Sequence, residues 1–155
     1  MTGQSPEAQK TQIVLKTCIL LVSHFRNLHE NKGLGFHTRL FSHILHPERE
    51  FVFAGRSVNV NQDTDTHPEH IVPCAVLISE CRRMISQGAT DEQIAPLLAK
   101  HWKIATITVA EKNYLDFELG YKSKMPDGWT FEEGDTFARL HAAKIVLGNP
   151  AHPTP

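Results

Sequence analysis

This chain has no CxxC pair, and its cysteines, Cys18, Cys74 and Cys81, are an odd number. A zinc ribbon and a thioredoxin-like motif are therefore excluded. The three thiols read as small apolar side chains in a reducing compartment, with a metal role for Cys74 as the lesser alternative. A surplus of one charge is also lacking, since 16 basic residues face 17 acidic ones. Such a balance gives none of the basic footprint that non-specific nucleic-acid binding rests on. No apolar run is long enough to cross a membrane, and the best one, residues 13 to 22, is broken by Lys16. Residues 1 to 10 are polar and show no signal-peptide pattern. These absences point to a soluble, cytoplasmic protein with no membrane partner.

What is present fits one folded unit. The chain has 155 residues and is 41% hydrophobic, enough for a single globular domain with its own core over 1–147. Residues 148–155 carry three prolines and read as a disordered tail. Helical periodicity covers residues 8–30, closed by Asn31-Lys32-Gly33, and a shorter helix fits 36–45. Residues 50–56 read as a strand, 57–66 as a polar loop, and His70-Ile71-Val72 as a short extended piece. Helices are expected over 75–87 and from Thr90 to His101, the second opened by a capping box and weakened by Pro96. A β-type run at 103–107 leads into a second capping box, Thr108 to Glu111, and a helix ending at Leu119. A turn at 125–129 and a helix over 135–146 complete the reading. The fold class expected is α+β, mostly helical with a small β-hairpin.

Chemistry concentrates in Thr66-His67-Pro68-Glu69-His70-Ile71-Val72-Pro73-Cys74. Adjacent side chains on an extended segment point to opposite faces, so Glu69 and His70 need not share one shell. A carboxylate suits a Mg²⁺-type ion, and a neutral imidazole beside it is suited to take a proton from water. His67 is a possible accessory group. The chain's ten histidines include a second spaced set, His37, His43 and His46, with Glu48 as its one acidic neighbour.

Glu69-His70-Ile71-Val72-Pro73 resembles the motif that opens the HNH, or ββα-metal, nuclease site. The resemblance implies that His70 is the general base and Glu69 a metal ligand. It also implies a following strand and helix that return further ligands. Residues 103–119 look like that part, with Asn113 and Asp116 on one helical face as candidates. The implied core is ββα-metal-like, with a two-helix insertion. Arg56, Arg82 and Arg83 are the candidate phosphate contacts. The function implied is a metal-dependent endonuclease that hydrolyses DNA, or RNA, with Mg²⁺ or Mn²⁺; Zn²⁺ is the other metal considered. The alternative is a non-catalytic binding protein of nuclease-like shape, an accessory factor of a phage or mobile element acting on a protein partner. A third reading is a metal-sensing or structural protein that binds Zn²⁺ or Ni²⁺ through its histidines.

Overall fold

A computed structural model describes residues 3–30 and 38–148. The long first helix, α1 (Pro6–Glu30), buries Val14, Thr17, Cys18, Leu21, Val22 and Phe25. These positions recur every three or four residues and so make one stripe. The stripe packs mainly on α5 and α4. Two short helices follow, α2 (Leu40–Ile44) and α3 (Arg49–Val52). The expected stop at Asn31-Lys32-Gly33, the start of the helix at 36, His37 and the tail from 149 lie outside the described residues.

The β-type run expected at 50–56 is divided. Its first half turns into α3, because the amides of Phe51 and Val52 bond back to the Glu48 carbonyl. Only β1 (Phe53–Arg56) is extended. β2 (Thr66–His70) starts earlier than the reading of 70–72, and includes Pro68. Then come α4 (Cys74–Ser86), α5 (Asp91–His101) and β3 (Ile104–Thr108). α6 (Val109–Asn113) widens into a π-type turn over Tyr114–Glu118, and α7 is confined to Ala138–Ala142. The helix expected over 135–146 is thus reduced to its middle, since the chain beyond it turns through Lys144 at φ 56.

The architecture is α+β and mostly helical, with a three-stranded mixed sheet in the order β1-β3-β2. β3 is central, parallel to β1 and antiparallel to β2. The antiparallel pair is closed by α4 and α5 instead of a turn, and β1, part of the strand expected at 50–56, joins β3 on its other side. Both expected capping boxes form. Thr90 accepts from Gln93 N–H and Thr108 from Glu111 N–H, each with the reciprocal bond. Pro96 lies inside α5 without ending it, because Ile94, Ala95 and Leu98 are buried around it. Burying such side chains contributes roughly 1.5–3 kcal/mol each for the large aliphatics, enough to offset a missing backbone bond.

The larger apolar cluster joins α1, α4 and α5 and includes Trp102 and Phe131. A smaller one lies across the sheet, around Ile71, Ala105, Ile107, Leu115, Leu140 and Ile145. The candidate site sits where β2 leaves the sheet and α4 begins. Among the described residues no helix is long and apolar enough to cross a membrane.

Candidate functional site

β2 ends at His70, and Pro73 forces the chain into α4 three residues later. This short link brings His70 and Cys74, the first residue of α4, into one open groove of about 290 Å³. Thr38, Arg39, Ser42, His67, Glu69, Ala75, Lys122 and Ser123 also line it. Three distant chain segments therefore meet here.

The centre is His70. Its Nε2 lies 2.5 Å from Glu48 Oε1. Glu48 is buried, and the same oxygen accepts the indole N–H of the fully buried Trp102 at 2.7 Å. A buried indole needs an acceptor, and here it also fixes the carboxylate that fixes the imidazole. Burial works against a charge on His70. Contacts from the Cys74 thiol and from Glu48 outweigh it and raise the ring's pKa to about 10. Burial likewise works against the Glu48 charge, but His70 and Trp102 hold its pKa below the ordinary value. At neutral pH the ring is an imidazolium. The expectation of a neutral imidazole waiting as base is thereby corrected: its carboxylate and thiol neighbours keep the proton on it.

Cys74 is half-buried, whereas Cys18 and Cys81 are fully buried. Burial pushes the Cys18 thiol up to about 12 and Cys81 higher still. The apolar reading therefore holds for those two and fails for Cys74, which faces the groove. Cys74 opens α4, and no side chain caps that helix end. Cys74 thus stands at a helix N-terminus, on the same groove wall as His70.

Glu69 has a different occupation from the one expected. Its Oε1 receives Arg139 at 3.0 Å, and its Oε2 lies 3.3 Å from His67 Nε2. Arg139 is fully buried and also donates to the carbonyls of His70 and Ile71. Its Nε has no partner among the described residues. Glu69 thus anchors an arginine that pins the backbone under His70.

Asn113 and Asp116 are not brought to His70. His70 pairs with Ile104 and Thr66 with Thr108, so α6 starts at the opposite end of β2, about 13 Å away along the strand. Asn113 borders a separate surface with Asn61, Asp63 and Asp65. Asp116 is almost buried and paired with Lys112 at 2.9 Å. Glu69, Asn113 and Asp116 therefore do not form one ligand set. Among the described residues, no three His, Cys, Asp or Glu side chains converge in a way that holds a metal ion.

The arginines are dispersed as well. Arg56 ends β1, on the sheet edge away from β2. Arg83 is engaged by Glu80 and Glu132. Arg82 is exposed on α4, two turns past Cys74. His67 alone among the accessory candidates lines the groove.

Glu48 and Cys74 are the residues that sequence reasoning did not place at the site. Cys74 had a signal, four positions after His70 and just past a helix-starting proline. Glu48 had none beyond its place beside the second histidine set. No protein-family model matches the chain, and neither the curated proteins nor the solved structures give a match.

Proposed function

We propose that this protein is a thiol-dependent hydrolase or acyl transferase, with Cys74 as nucleophile, His70 as proton carrier and Glu48 as the group that orients His70. One observation carries the reading: His70, bonded to the buried Glu48 carboxylate, lines the same open groove as the Cys74 thiol. A nucleophile against a base, and the base held by a third group, is the arrangement that activates a weak nucleophile.

The chemistry follows from those positions. Cys74 Sγ, as thiolate, attacks the carbonyl carbon of an ester, thioester or amide. The oxyanion that forms is held by first-turn N–H groups of α4, those of Cys74 and Ala75. The His70 imidazolium gives its proton to the leaving alcohol, thiol or amine, and the acyl group stays on Cys74 as a thioester. Neutral His70 then takes a proton from water, or from an acceptor alcohol or amine, as that molecule attacks the thioester. The acid or transferred product leaves, and the thiolate–imidazolium pair is restored. Glu48 keeps the ring in place throughout, and Trp102 keeps Glu48 in place.

A reporter ester such as 4-nitrophenyl acetate tests this. The wild type releases a burst of nitrophenol equal to the enzyme, with the acetyl group on Cys74 by peptide mass mapping. Cys74→Ser and His70→Ala lose about 10²–10⁴-fold of the rate while keeping the fold. A Cys74→Ser protein that hydrolyses the ester at the wild-type rate ends the proposal.

A second reading keeps phosphodiester hydrolysis of HNH type on DNA or RNA, with His70 and Glu48 handling the proton. It is favoured by the cationic side chains of Arg39 and Lys122 beside His70 in an open groove. The two separate cleanly. Plasmid nicking in Mg²⁺ or Mn²⁺ that His70→Ala removes and Cys74→Ala leaves intact belongs to the nuclease.

A further inference from the structure

We infer that the substrate of this groove is an extended polypeptide segment, which pairs as an added strand with the open edge of β2 and so brings its carbonyl to Cys74. The acyl chemistry rests on the thiol reading of the site, whereas the strand pairing rests on the sheet alone.

The phase of the ladder between β2 and β3 decides which backbone groups can pair with a guest. Val109 N–H bonds to the Asp65 carbonyl, and Ile71 N–H to the Lys103 carbonyl, one at each end of the strand. Backbone groups alternate in direction along an extended chain, so those of 65, 67, 69 and 71 turn toward β3. Those of Thr66, Pro68 and His70 turn outward, and β2 is an edge of the sheet. Arg139 takes the His70 carbonyl. The Thr66 N–H and carbonyl, the Pro68 carbonyl and the His70 N–H are unbonded among the described residues. Side chains alternate too, with His67 and Glu69 on one face and Pro68 and His70 on the other. All four line the groove, which therefore runs along the outer edge of the strand. The opposite edge of the sheet is covered: Val58 N–H bonds to the Val146 carbonyl, and Gly148 N–H to that of Arg56. Among the described residues, the edge beside Cys74 has no such cover.

Outward groups two residues apart, about 6.8 Å along the strand, match the alternate residues of a second extended chain. Pro68 limits the match. Its missing N–H lies on the outward side, so the ladder to β3 loses nothing and a guest loses one bond. An edge carrying a proline resists lasting union with another sheet. A guest can still donate to the Thr66 and Pro68 carbonyls and accept from the Thr66 and His70 amides. That suits a strand that must leave after reaction. β2 ends at His70, and Pro73 turns the chain so that Cys74 stands just past that end. Pairing edge and nucleophile thus share one groove.

Benzyl thioesters of acetyl-alanine and of acetyl-tetraalanine test the inference, because they differ only in the backbone groups they offer. Each acylates Cys74 and releases phenylmethanethiol, which leaves with the His70 proton. kcat/KM should be about tenfold or more higher for the tetraalanine ester, and equal values overturn the inference. N-methylation of single amides in that ester should cut kcat/KM about threefold or more at alternate positions and spare the position between them. Equal loss at every position overturns the pairing. Pro68→Ala adds an outward N–H and should raise kcat/KM for the tetraalanine ester about threefold; an unmoved value counts against the edge. If Cys74→Ser turns over the esters as the wild type does, or neither protein reacts, the thiol reading fails instead. The edge is then read on Cys74→Ser by NMR titration with acetyl-tetraalanine amide. Saturable shifts of the Thr66 and His70 amides, larger than those of His67 and Glu69, support the pairing. A flat titration overturns it.

Discussion

Glu48 Oε1 and His70 Nε2 lie 2.5 Å apart, joining the turn before α3 to the end of β2. The same oxygen holds the Trp102 indole, so a core aromatic, a buried acid and a groove histidine form one chain of bonds. Each member has a reason to be there. The indole and the carboxylate are both costly to bury unpaired, and together with the imidazolium they satisfy one another.

Glu48→Gln should bring the His70 pKa down from about 10 toward the ordinary 6.5. The amide still offers an oxygen to Trp102, so the fold is retained. NMR titration of the His70 ring reads the change, and an unmoved midpoint would contradict the role given to Glu48. Glu48→Ala is harsher: it leaves the buried indole N–H unpaired, at a cost of about 1–3 kcal/mol in chemical denaturation.

Stability should depend on pH through this pair. The folded pKa of His70 lies above its unfolded value, so its contribution is complete below 6.5 and is lost as pH rises toward about 10. Glu48 is held below 4.5, so its contribution is present above that value and is lost as pH falls through the lowered one. Urea midpoints measured from pH 6 to 10 should therefore decline in the wild type. The decline should be shallower in His70→Gln, and equal slopes would refute the linkage.

Arg139→Met should be severely destabilising, by about 3–5 kcal/mol, because Glu69 and two carbonyls lose a buried partner. Combining it with Glu69→Gln should recover part of that loss. Denaturant midpoints of the two single variants and the double variant give the coupling; strict additivity would show that the pair is not acting as one.

Thr108→Ala should cost about 1 kcal/mol by removing the cap of α6. Glu111→Ala should cost more than that cap alone. Its carboxylate also binds Ser57 at 2.6 Å and Asn59 at 2.9 Å, tying the loop after β1 to the helix. Thermal midpoints of the two variants check the order.

Local signals were legible where local physics governs. Thr90 with Gln93 and Thr108 with Glu111 announced their helix starts because a capping box is closed within four residues. The apolar stripe of α1 and the strand at 104–108 were readable from periodicity for the same reason. Residues 50–52 were misread as strand because Glu48 places its carbonyl to accept a helical turn, and its side chain is held by two long-range partners. The helix at 109–119 was read as uniform, whereas the chain widens at Tyr114 to turn back through Gly120.

The sequence by itself determined the helical majority, both capped helix starts and the central strand. These follow from side-chain spacing and from bonds made within a few residues. Only the tertiary structure decided what surrounds His70. It drew Glu48 and Cys74 to the ring, gave Glu69 to Arg139, and left Asn113 and Asp116 at the other end of β2. Such partners are chosen by strand register and by the need to pair buried charge, and neither is written in the spacing of neighbouring residues.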